Sequence, residues 1–148
     1  VILGLCQEEH HMRRVSFIVM FTFVLSIGYA LRAAEAPSPE YVKAMKTLGA
    51  VVGGLSKPGA SEDFEAVKKA SAESKAAFSV IENFWKAKGD AEALKLAEAG
   101  TKYSADLGVV ANLTSSEGVE AAVKDIASTC KPCHDGHREK AAEGFLIK

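Results

Sequence analysis

No stretch of this chain alternates apolar and polar residues in the way a half-buried strand requires. Aromatic residues make up only 7% of it, while alanine is abundant, which favours helices with close backbone packing. Proline is confined to positions 37, 39, 58 and 132. Neither sign of charge dominates. The formal net charge is −1, so the chain has neither the basic footprint of a nucleic-acid binder nor an acidic tail. What remains is ordinary globular material: 148 residues, 25% charged and 48% hydrophobic. That suits one domain that is neither disordered nor wholly membrane-embedded.

The N-terminal region reads as a leader. Met12-Arg13-Arg14 precedes an uncharged run from Val15 to Leu31. Two arginines before such a run resemble the start of a secretory signal. Ala34-Glu35-Ala36 offers an Ala-x-Ala cleavage site, though Pro37 directly after it is unfavourable. Gly28-Tyr29-Ala30 is the alternative. An uncleaved single-span anchor is the competing reading. The expected division is a leader over 1–36 and a helical domain over 37–148, exported to the periplasm and not inserted in the membrane after cleavage. Cys6 leaves with the leader, so Cys130 and Cys133 are the cysteines of the mature chain.

Four helices are expected after the leader. Ser38-Pro39-Glu40 reads as an N-cap, a proline at the first helical position and an acidic first turn. Tyr41, Met45, Leu48, Val52 and Leu55 share one face of the helix that follows, and Gly53, Gly54 and Lys57-Pro58-Gly59 are read as its end. Ser61-Glu62-Asp63 starts the second, with Phe64, Val67, Phe78, Ile81 and Trp85 as its stripe and Ser71 and Ser74 as the weak point between. Gly89 closes it and Asp90 caps the third, which carries Leu96, Gly100, Tyr103, Leu107 and Val110. After the break at 114–118, Val119, Val123, Ile126, Cys130, Cys133 and His137 lie along a fourth helix, predicted to run on into 138–142. The fold class expected is all-α, an antiparallel four-helix bundle.

Cys130-Lys131-Pro132-Cys133-His134 is the C-x-x-C-H pattern of covalent haem attachment. Two thiols three residues apart can each add to one vinyl group on the same porphyrin edge. The adjacent histidine is then held beneath the iron. Two other readings compete. A thioredoxin-like redox pair expects a βαβ context. A zinc site from Cys130, Cys133, His134 and His137 would crowd four ligands into eight residues.

The segment Cys130-Lys131-Pro132-Cys133-His134-Asp135-Gly136-His137-Arg138 resembles the class II c-type cytochromes, the cytochrome c-prime family and its low-spin relatives. Their motif also lies near the C-terminus and continues with two residues, an aromatic and an arginine. His137 departs from that pattern. The resemblance covers roughly 38–140 and implies a four-helix bundle with one haem c, His134 as proximal iron ligand, and Arg138 near the proximal haem face. Arg138 then supports a propionate or controls proximal access, or it is simply a helix-end cation.

The resemblance also implies that the sixth ligand, where there is one, comes from the first helix. Met45 is the sole methionine after the leader, and His137 is on the proximal side. A Met/His pair raises the reduction potential and suits electron transfer. The alternative is that Met45 is plain core. The leading expectation is a periplasmic one-electron carrier, not an enzyme, that docks weakly on redox partner proteins. A five-coordinate NO- or CO-binding protein is the alternative. A haem-bearing module of a larger respiratory complex is the third. Class II relatives often form homodimers through their first two helices.

Overall fold

A computed structural model of the chain describes residues 34–148. All of the expected leader except its last three residues lies outside that range. Four long helices account for most of the described chain: α1 Pro39–Leu55, α2 Phe64–Lys88, α3 Ala91–Asn112 and α4 Ser116–Ser128. A short 3₁₀ turn, Ala60–Glu62, precedes α2, and a short helix, α5 Cys130–His137, follows α4. Each long helix packs on the next, and α1 also touches α4. The result is compatible with the expected all-α bundle.

Capping chemistry explains the helix starts. Ser38, Asp63, Asp90 and Ser115 each accept a backbone N–H from the first turn of the helix they precede, filling donors that the helix itself leaves open. Gly89 ends α2 in the left-handed conformation, φ 68°, which glycine adopts without a Cβ penalty.

The core lies where the stripes meet. Val67, Leu107, Val119 and Ile126 are fully buried, and Trp85 nearly so. The inner face of α3 is built of smaller residues than expected. Ala93, Ala97, Gly100, Ser104 and Ala111 are buried there with Leu107, whereas Leu96, Tyr103 and Val110 are half-buried. Small residues let α2 approach closely. A Cβ on Gly100 would lie 2.2 Å from the Phe78 ring. Ser71 and Ser74 are buried without being orphaned, since Ser71 Oγ donates to the Ser104 carbonyl at 2.7 Å and Ser74 Oγ to the Ser71 carbonyl at 3.1 Å.

Three expectations need correction. Gly53 and Gly54 lie inside α1, which continues to Leu55. A glycine weakens a helix interior by only about 1 kcal/mol relative to alanine, so packing overrides it. The helix ends instead where Ser56 Oγ folds back to the Val52 carbonyl at 2.7 Å.

The fourth helix is interrupted at Thr129, whose N–H and hydroxyl both turn to the Ile126 carbonyl. Pro132 supplies the reason. It has no N–H to give to the Ser128 carbonyl four residues earlier, and its ring crowds that carbonyl.

Residues 138–142 are not helical. Arg138 is extended, and β1 Arg138–Lys140 pairs antiparallel with β2 Phe145–Ile147, Arg138 opposite Ile147 and Lys140 opposite Phe145. Gly144, φ 78°, serves the return. Glu35 adds a further bridge, exchanging both backbone bonds with Ile147 at 2.9 and 2.8 Å. Its carboxylate also lies 2.7 Å from Lys88 Nζ. This ribbon buries Ile147 against the bundle.

Candidate functional site

Met45, Cys130, Cys133 and His134, which are distant in sequence, line one cavity of about 360 Å³. That volume falls within the range of small-molecule and cofactor sites. Helix α1 supplies Met45, Leu48, Gly49, Val52 and Gly53. Phe78 and Ile81 of α2 and Leu96 and Ala97 of α3 add apolar wall. Thr129 and α5 close the remaining side. Arg138 is not part of this lining. It borders a second cavity of about 560 Å³ that shares Met45, Cys133 and His134 with the first, and its guanidinium stacks 3.7 Å from the Phe145 ring centroid.

Met45, Gly49 and Gly53 follow one another at intervals of four, so they form one column along α1. A Cβ at Gly49 or Gly53 would meet nothing within 4 Å. The column is therefore a shallow trough with the Met45 thioether at one end. The sequence signal was present as glycines at i and i+4. It was obscured because glycine near a helix end reads first as a terminator. Val52 and Met45 are half-buried for the same reason: they face the cavity, while Ala44 and Val51 carry the deeper packing of α1.

The electrostatics of the motif favour neutral groups. Cys130 and Cys133 are unpaired thiols, both half-buried. Burial pushes both upward. Cys133 rises to about 11, with Cys130, Asp90 and Glu92 adding to the effect of burial. Burial, then the nearby Arg138 cation, lowers His134, against a smaller opposing pull from Asp135. A neutral imidazole with a free lone pair is the form that ligates a metal. Burial also raises Tyr41 well above the usual phenol range. Lys131 and Asp135 form an exposed ion pair at 2.5 Å on the outer side of α5.

His137 is set apart from the other three motif side chains. It is buried, stacks on Trp85 and approaches Asp90. Among the described residues no three His, Cys, Asp or Glu side chains converge to hold a metal ion. The crowded zinc arrangement of Cys130, Cys133, His134 and His137 is accordingly not formed. No βαβ unit surrounds the cysteines among the described residues.

The cavity brings together two thiols and an imidazole from α5 with a thioether and two glycines from α1, between apolar walls. Comparison of the chain with protein-family models, curated proteins and solved structures gives no match.

Proposed function

We propose that this protein is a haem c electron carrier. The observation that carries the reading is the single apolar cavity into which Cys130, Cys133, His134 and Met45 all open. Cys130 and Cys133 would hold the haem through two thioethers, His134 would ligate the iron from the proximal side, and Met45 would take the opposite position. The bound haem supplies a one-electron ferric–ferrous couple, with a potential raised by Met/His ligation. The chain's own residues do the rest. Leu48, Val52, Phe78 and Ile81 exclude water. The paired thiols and the rigid turn of α5 fix orientation, and the half-buried position of His134 keeps its imidazole neutral.

The reading includes export to the periplasm and weak, partly electrostatic docking on redox partner proteins. No helix among the described residues is long and apolar enough to cross a membrane. The NO- or CO-binding alternative uses the same cavity with Met45 as wall rather than ligand.

One set of spectra tests both. Denatured protein should give a pyridine haemochrome of the two-thioether type, and native protein should be low-spin and slow to bind CO. Met45→Ala should convert it to a high-spin form that takes up CO readily and has a lower potential. Wild-type protein that is already high-spin and binds CO at once supports the gas-binding function instead.

A further inference from the structure

Two points hold the motif helix to the bundle. At its start is the buried Thr129, bonded back to the Ile126 carbonyl. At its end is His137, the only buried residue among the eight of α5. Lys131 and Asp135 pair on the exposed outer side, and Cys130, Cys133 and His134 are half-buried where they line the cavities. A contact at the helix axis fixes where a short helix ends. Its roll is fixed only by a side chain anchored off the axis, and in α5 that side chain is His137.

The His137 ring is docked into the corner where α2 meets α3. It lies 4.9 Å from the Trp85 ring at 56°, and its Nδ1 stands 3.4 Å from Asp90 Oδ2. The corner itself is tied down. The Asp90 N–H donates to the Trp85 carbonyl at 3.2 Å, and Asp90 Oδ1 accepts from the Ala93 N–H at 3.0 Å as the cap of α3. The other ring nitrogen, Nε2, is buried without a partner, an arrangement that ordinarily costs stability. A phenyl ring would fill the same place without that cost. What the imidazole adds is a polar atom facing Asp90.

Helical spacing carries this anchor to the motif. Cys133 and His134 precede His137 by four and three residues, so all three share one face of α5. The roll that seats His137 therefore also turns Cys133 and His134 toward the cavities they line. A roll by one residue position, about 100° at 3.6 residues per turn, would turn both away.

We propose that His137 is the positioning residue of the motif: held by Trp85 and Asp90, it sets the roll of α5 and with it the direction in which His134 meets the iron of the proposed haem. The proposal rests on the haem reading, and the role it assigns to His137 involves no contact with the cofactor.

The test uses the full-length protein carrying the proposed haem, and it separates the two duties of Asp90. Asp90→Asn and Asp90→Ser both keep an N-cap, and both remove the charge. Only asparagine keeps a polar atom where Asp90 Oδ2 faces His137. The reduction potential and the circular dichroism of the main haem band report how the iron is ligated. The serine variant should be shifted in both from the asparagine variant. In a His137→Phe background, which keeps a ring against Trp85, the two should agree. A purely structural role predicts a lower denaturation midpoint for serine with potential and band equal to those of asparagine. That result overturns the proposal and leaves the haem reading intact. A difference that persists in the His137→Phe background is not carried by His137 and overturns it as well. If His137→Phe fails to assemble, the comparison of asparagine with serine beside the native His137 decides. Absence of a pyridine haemochrome in wild type removes both readings, and that assay is read separately.

Discussion

A methyl group at position 100 would lie 2.2 Å from two carbons of the Phe78 ring, so Gly100→Ala forces one of them to move. Both residues are buried, and overpacking of this kind typically costs about 1–3 kcal/mol. The better helix propensity of alanine offsets roughly 1 kcal/mol of that. The variant should therefore show a lower denaturation midpoint with an unchanged denaturant slope. Phe78 is also cavity wall, so the spectrum of the proposed haem should shift with it.

A second residue-scale prediction concerns Cys133, whose free thiol is pushed up to about 11, chiefly by burial. Only the thiolate alkylates. At pH 8 a thiol near 11 is about one-thousandth ionised, against about one-tenth for a thiol at the ordinary value of 9.0. Iodoacetamide should label the free Cys133 thiol of the folded protein at least about tenfold more slowly than in urea. The rate should climb as pH rises from 9 toward 11. Equal rates in both states would show that the pocket does not desolvate this thiol.

At the scale of elements, most of the helical pattern was legible because it rests on local chemistry. The caps Ser38 and Asp90 and the stop at Gly89 act within one turn, and the sequence displays them openly. The stripe of α2 was legible because large apolar residues dominate it. The inner face of α3 was less so, since alanine, serine and glycine carry no strong periodic signal although they set the approach distance to Phe78. The interruption at Thr129 was written in Pro132 but competed with a continuous apolar stripe.

The ribbon formed by Glu35, β1 and β2 was not legible. Its strands β1 and β2 are three residues long, and its Glu35–Ile147 bridge joins positions 112 apart in the chain. That ribbon bears on the leader boundary. A chain starting at Pro37 lacks both Glu35–Ile147 backbone bonds and the Lys88–Glu35 ion pair. Each backbone bond contributes about 1 kcal/mol, and the half-exposed ion pair adds less. A protein starting at Leu31 should therefore be more stable than one starting at Pro37 by about 1–2 kcal/mol, read as a higher thermal midpoint. Equal midpoints would show the bridge to be incidental.

For the whole molecule, the site draws on every long helix but α4, whose C-terminal neighbour Thr129 and continuation α5 complete it. The sequence named Cys130, Cys133 and His134 by residue type and spacing, and Met45 through the family resemblance and as the sole methionine after the expected leader. It could not show that the glycines of α1 line the same cavity as the motif, because that depends on how the helices rotate about their axes. Nor could it show that His137 turns toward Trp85 and Asp90, since both partners lie on other elements of the fold.

The ribbon that ties Glu35 to Ile147 has one more consequence. Antiparallel pairing brings the segment before Glu35 and the one after Ile147 out at the same end of the bridge. A pull on the two segments thus peels the bridge one bond at a time instead of shearing it. The load is spent on the ribbon before it reaches the helices that line the cavity. The ribbon is in this sense a mechanical fuse. Tethered by both ends, the domain would give way first at its seam.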